Sequence, residues 1–221
     1  MEEKNGIDFK AMPRTAVRVI TSPAAFFRDM PKTGGFAEPL VFMMVMGVAA
    51  GIVNAVLSIV GIHAGVGIGK ALSSIIKYPL VVAVLGFIWS AIVFVIWKFM
   101  GSREPYETAY RCSAYITSLW PIITALNVIS RAGVLIVIAI GVSFYGIASI
   151  EAHKIPSRRT WPVFGILGAI LLVLLMSSRI EQRGETVKYR KQLEQSTKEM
   201  QKNSEDAQKA LEEMQKQLEK K

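Results

Sequence analysis

The chain has 221 residues, 52% of them hydrophobic and 19% charged, with a formal net charge of +9. Soluble domains carry roughly 25% charged residues; here 20 of 43 charges lie in residues 179–221, while 40–100 hold only Lys70, Lys77 and Lys98. That distribution excludes a water-soluble protein, the single Cys112 excludes a disulfide scaffold, and no basic stripe interleaved with aromatics points to nucleic acid.

Residues 1–12 are polar and are expected to be a flexible N-terminus. A membrane domain is expected over 13–178, opening with an N-terminal interfacial helix. Residues 13–20 are amphipathic, Val17 and Ile20 opposing Arg14 and Arg18. Ser22 and Pro23 read as the cap and first turn of a helix through Met30, stopped by Pro31 and Gly34-Gly35. Phe26, Phe27 and Met30 share one side, opposite Arg28 and Asp29. The aromatics suit either the lipid headgroup region or the protein's own cytoplasmic face. Residues 1–39 lack the continuous apolar core of a cleavable leader, so the first apolar run is expected to stay as an anchor.

Five spans are predicted. The first, 40–62, has 23 uncharged residues, enough to cross a core of roughly 30 Å. Gly47, Gly51 and Ala55 recur every four residues, a small-residue stripe that lets another helix approach closely; Asn54 is its one strongly polar side chain. Residues 63–78 read as a Gly-rich connector ending in an amphipathic turn at 71–76. Its Gly65–Lys70 string has Ala64 and Ala71 where a phosphate loop needs Gly and Ser/Thr. The second span, 79–99, ends in Trp97-Lys98, an interfacial pairing. The third, 113–130, contains Tyr115, Thr117, Ser118, Thr124 and Asn127, with a kink expected at Pro121. The fourth, 132–150, follows in a tight hairpin. A basic turn with Lys154, Arg158 and Arg159 leads to Trp161-Pro162 and the fifth span, 161–178. The tail, 179–221, is polar and helix-favouring; Ala207, Leu211, Met214 and Leu218 form a short heptad seam, a weak coiled coil.

With five spans, the N-terminal side carries twelve Lys/Arg and the opposite loops three. Positive charge stays inside, so the N-terminus is expected in the cytoplasm and the tail outside. Phe26, Phe27, Arg28, Trp97, Lys98 and Trp161 are the expected membrane-interface residues.

Little in the sequence points to catalysis. The metal-ligand types His63, His153 and Cys112 lack ligand spacing, and no cofactor is implied. Cys112 adjoins Arg111 but has no His on its own segment, so it reads as a packing residue. Asn54, Arg111, Tyr115 and Asn127 are costly in lipid and should face helices or water. Arg111 lies at a span end and can snorkel. Asn54 and Tyr115 could hydrogen-bond between spans one and three, as helix glue or as the lining of a polar path.

Three segments together form a known pattern: Thr21-Ser22-Pro23-Ala24-Ala25-Phe26-Phe27-Arg28-Asp29-Met30 running on to Glu38-Pro39-Leu40; Tyr106-Glu107-Thr108-Ala109-Tyr110-Arg111 leading to Ser113-Ala114-Tyr115 and Trp120-Pro121-Ile122; and Gly146-Ile147-Ala148-Ser149-Ile150-Glu151-Ala152-His153. Over about 13–178 the chain resembles the Yip (Ypt-interacting protein) domain family. The resemblance implies a small five-span protein with a cytoplasmic N-terminus, and in eukaryotic members a prenylated Rab-type GTPase partner. Here the N-terminal region is short, the Asp-Leu-Tyr-Gly-Pro motif is missing and a charged tail is added. The likeness is therefore to a prokaryotic-type member in the plasma (inner) membrane, and a Rab-type GTPase partner is expected only if the protein is eukaryotic.

The resulting expectation is an all-α, polytopic five-span bundle. It would be a non-enzymatic scaffold or organiser that engages membrane lipids through its cytoplasmic face, and a second copy or a protein partner through its tail. The rival expectation is a transporter or channel for a small solute or lipid, with a polar path between spans one and three.

Overall fold

The computed structural model describes residues 8–60, 68–129 and 133–175, together with 177, 196, 197 and 200. The chain divides into two compact units, Met1–Leu172 and Val173–Lys221. The seam residues Ala207, Leu211, Met214 and Leu218 lie outside the described residues, as do Arg131 and His63; Asn127 lies on a helix, but its side chain is outside the description.

All regular structure among the described residues is helical: α1 Met12–Thr21, α2 Pro23–Asp29, α3 Ala37–Ile59, α4 Ile68–Phe99, α5 Tyr106–Ile116, a 3₁₀ turn Thr117–Leu119, α6 Trp120–Ile129, α7 Gly133–Glu151 and α8 Ser157–Leu175. Four helices among them are long and apolar enough to cross a bilayer: α3, α4 from Leu72, α7 and α8. Their outward faces carry exposed Ile52 and Val56 on α3, Leu80, Val84 and Ile88 on α4, and Ile166 and Ile170 on α8. Such a belt is costly in water and suited to lipid.

Several expected boundaries move. The helix of the second span, α4, starts at Ile68, so residues 68–78 of the expected connector, its short turn included, are that helix's first three turns; residues 63–67 lie outside the described residues. Pro79 lies inside it; its ring removes one backbone bond, and the helix continues past it to Phe99. The third span is corrected in kind. It begins at Tyr106, seven residues early, and breaks at Thr117–Leu119. Thr117 Oγ1 and Ser118 Oγ donate back to the carbonyls of Ala114 and Tyr115 at 2.5 and 2.7 Å, which tightens the turn just before Pro121. Ser22 precedes α2, but its side chain makes no capping bond.

The helices α3 and α4 form a close antiparallel pair. A Cβ on Gly47 would lie 2.8 Å from Pro79 Cα, and one on Gly51 2.7 Å from Ser74 O and 2.8 Å from Ile75 Cα. Ser74 Oγ donates to the Gly51 carbonyl at 3.0 Å across this contact. Ala55, one turn further along, is buried as well.

The main core lies at one end of the bundle, between α1, α2 and the neighbouring ends of α4, α5 and α7. Phe27 is fully buried and Phe26 meets Tyr115 edge-on at 5.0 Å. Of the two places left open for them, the lipid headgroups and the protein's own face, the aromatics take the second: α2 turns them into the protein and leaves Arg28 and Asp29 outside.

Candidate functional site

The chain ends that meet at this pole are the 30–36 loop, the 100–105 turn, the first turns of α5 and the 152–156 turn after α7. The three segments that carry the family pattern, far apart in sequence, supply at least one partner to most of its polar contacts.

Arg111 is 1% exposed. Its guanidinium donates to the Gly35 carbonyl at 3.0 Å and to Glu38 at 2.9 Å, with Glu107 3.9 Å away. Glu107 in turn accepts the Gly35 N–H at 2.6 Å. Arg111 thus does not snorkel. It fastens the start of α3 to α5, and Gly34 and Gly35 reach φ +128 and +85 to bring the loop against it. A side chain here would meet the guanidinium or strain the turn. Lys32 pairs with Glu104 at 2.5 Å, and Thr108 donates to the Lys32 carbonyl at 3.3 Å. Arg28 forks onto Glu151 with two bonds of 2.8 and 2.9 Å, tying α2 to the end of α7. Arg18 pairs with Asp29 at 2.8 Å.

Beneath these ion pairs lies a neutral cluster. The Trp97 indole N–H donates to Ser149 at 2.6 Å, and the ring stacks on His153 with centroids 3.9 Å apart. Trp97 is fully buried, so its expected interfacial role is corrected. Lys98 remains exposed, its Nζ 5.3 Å from the Phe94 ring centroid, and Trp161 is half-exposed against Gly146. Ser102 and His153 Nδ1 share a hydrogen bond of 2.8 Å, while Nε2 lies 4.0 Å from Cys112 Sγ. Lys154, at φ 56, turns the chain after His153. Burial, followed by the charges of Lys32 and Lys98, pushes the His153 pKa down to about 3. A neutral imidazole wedged between Trp97, Ser102 and Cys112 acts as a hydrogen-bonding pin. Nucleophilic use of the thiol would need an accessible thiolate, and Cys112 is fully buried.

The structure does not bring Asn54 and Tyr115 together. Tyr115 lies against Phe26 and Phe42 and beside the Arg111–Glu38 pair. Asn54 is twelve residues beyond Phe42 on α3, about 18 Å along the axis. Among the described residues no three His, Cys, Asp or Glu side chains come together as a metal site.

The His153 cluster and the ion-paired layer went unread in the sequence. One signal was present. Between residues 30 and 178 the acids are Glu38, Glu104, Glu107 and Glu151, each near a span end and a base.

Deeper in the bundle is a cavity of about 350 Å³ between α3, α4, the α5–α6 break and α7, lined by Met43, Leu85, Trp89, Ser113, Gly141 and Tyr145 among others. Trp89 donates to the Tyr145 hydroxyl at 2.6 Å on its edge.

No curated protein and no solved structure matches the chain. The sequence pattern of the Yip1 domain matches residues 17–178, which takes in the whole ion-paired pole and the apolar helices below it, and the chain belongs to the Yip1 domain family as a multi-pass integral membrane protein.

Proposed function

We propose that this protein is a non-enzymatic membrane organiser whose ion-paired pole faces the cytoplasm and gathers anionic lipid headgroups. One observation carries this reading. The acids of the pole are used up inside it: Asp29, Glu38, Glu104, Glu107 and Glu151 all pair with Arg18, Arg28, Lys32 or Arg111. Arg103, Lys154, Arg158 and Arg159 enter none of those pairs. Arg103 and Lys154 sit on two turns, and Arg158 and Arg159 on the first turn of α8; the Ser102–His153 bond joins the turns, and the Arg159 guanidinium lies 3.8 Å from where a Gly101 Cβ would be. Phe99, 89% exposed, and the half-exposed Trp161 flank this basic surface, as expected of residues at headgroup depth.

The broken α5–α6 element serves as a fifth crossing in this reading. It starts at the basic pole, where Arg111 meets Gly35 and Glu38. It ends three residues before α7, which returns to the same pole over 19 residues, about 28 Å. In the same reading residues 179–221 recruit a protein partner or a second copy through Ala207, Leu211, Met214 and Leu218. The pole belongs to the plasma membrane's inner face, where basic segments meet anionic lipid.

The test is lipid selectivity. Full-length protein is reconstituted with spin-labelled phosphatidylglycerol or phosphatidylcholine. It should immobilise the anionic lipid preferentially, at least twofold, and a variant with Arg103, Lys154, Arg158 and Arg159 all changed to Gln should lose the preference. Equal selectivity in the two proteins overturns the reading.

A further inference from the structure

We infer that the cavity between α4 and α7 is a seat for one acyl chain of a glycerophospholipid from the surrounding bilayer. The first reason is where it opens. Leu85 and Trp89 line the cavity and are also 53% and 39% exposed. They belong both to its wall and to the lipid-facing belt of α4, so the cavity is continuous with that belt. The second reason is depth. Trp89 and Gly141 each lie ten residues from the polar ends of their helices, at Phe99 and Glu151. At 1.5 Å per residue that is about 15 Å into a hydrocarbon core of roughly 30 Å.

The third reason is that the route from the aqueous pole is occupied. Between cavity and pole, α4 and α7 are bridged by the Trp97–Ser149 bond and the Trp97–His153 stack, both buried. An occupant enters sideways from the bilayer, which selects a lipid chain over a water-soluble solute. The fourth reason is polarity. The polar groups of the lining are few, and those of Thr117 and Trp89 are spent on the Ala114 carbonyl and the Tyr145 hydroxyl; Ser113 Oγ is buried with no partner at hydrogen-bond distance. An unsatisfied buried hydroxyl is costly. A glycerolipid supplies what fits, an apolar chain with an ester oxygen at its headgroup end, and a plain hydrocarbon does not.

Gly141 makes the inference testable, because a Cβ there meets nothing within 4 Å. Larger side chains grow into the cavity, and replacing a mid-helix Gly favours the helix. Full-length wild type, Gly141→Leu and Val137→Phe are purified in mild detergent, stripped of lipid and titrated with dioleoyl phosphatidylcholine. Bound lipid is counted by native mass spectrometry and folding by thermal melting. This lipid has no net charge, so the result is independent of the basic-pole reading. Wild type should retain one phosphatidylcholine more than either variant, with at least tenfold weaker binding in the variants. Its melting temperature should rise with lipid while theirs, starting no lower, should not respond. Equal retention in the three proteins, no retained lipid in wild type, or occupancy by free oleate with phosphatidylcholine excluded overturns the inference.

Discussion

Substituting Gly51 by alanine tests the α3–α4 contact most directly, because the added methyl group meets backbone, which cannot rotate away. Its Cβ would lie 2.7 Å from Ser74 O, 2.8 Å from Ile75 Cα and 3.1 Å from Ile75 N. Ordinary contacts begin near 3.4 Å, so the two axes must part locally by about 0.7 Å, or α3 must rotate. Either movement strains the Ser74–Gly51 hydrogen bond. Overpacking of this kind costs about 1–3 kcal/mol, while Gly→Ala inside a helix returns up to about 1 kcal/mol. The net expectation is a loss of about 1 kcal/mol, or a melting temperature lower by roughly 2–4 °C at this chain length. Gly165→Ala is the matched control, since a Cβ there meets nothing within 4 Å; it should raise the melting temperature by a similar amount. Cys112 is the only cysteine and is fully buried, so a thiol-reactive fluorophore reports unfolding in detergent without engineered labels. If Gly51→Ala rises along with Gly165→Ala, the backbones are not in contact and the packing argument fails.

Two further outcomes follow from the pole. Arg111→Met keeps the length of the side chain but removes the charged donor from the Gly35 carbonyl and Glu38; Glu38 is 52% exposed and stays solvated, so the loss is that of hydrogen bonds to a charged group, about 1.5–3 kcal/mol. The variant should lose most of its folded yield by size-exclusion, with Arg111→Lys rescuing only part, because one ammonium cannot reproduce the fork. Wild-type yield and melting in the Met variant would refute the clamp. For His153, the folded pKa of about 3 lies below the ordinary value of 6.5, so the unfolded chain binds the extra proton between them. Stability is complete above pH 6.5 and falls as the pH drops below it, the folding constant losing roughly tenfold per unit. His153→Phe keeps a ring against Trp97 and should flatten the melting-temperature profile between pH 6.5 and 5; an unchanged slope would place the titration elsewhere.

The sequence by itself determined the class of this protein. Long continuous apolar runs lack the alternation of a barrel strand and satisfy their backbone groups in lipid as helices; four of the expected spans are continuous helices, three displaced by a few residues at their ends and the second starting eleven residues early. The stripe of Gly47 and Gly51 was legible for the same kind of reason, since a local four-residue period defines a helix face. Tertiary structure decided everything that depends on what that face meets. Trp97, next to Lys98, looks interfacial in sequence, yet it is buried because Ser149 and His153, some fifty residues away, supply a hydrogen bond and a stacking surface. Arg111 could have snorkelled, but Glu38 on α3 and Gly35 on the loop before it arrive to meet it, and a buried, ion-paired guanidinium replaces a solvated one. Cys112 and His153 share no segment, and only the closure of α5 against the end of α7 brings them within 4.0 Å. The break at Thr117–Leu119 was half visible, since Pro121 announces a kink. Its position three residues earlier was set by hydroxyl-to-carbonyl bonds that no periodicity encodes. Hydropathy is additive along the chain and can be read one residue at a time. Partner choice in an ion-paired layer is pairwise, and it exists only once the chain has folded.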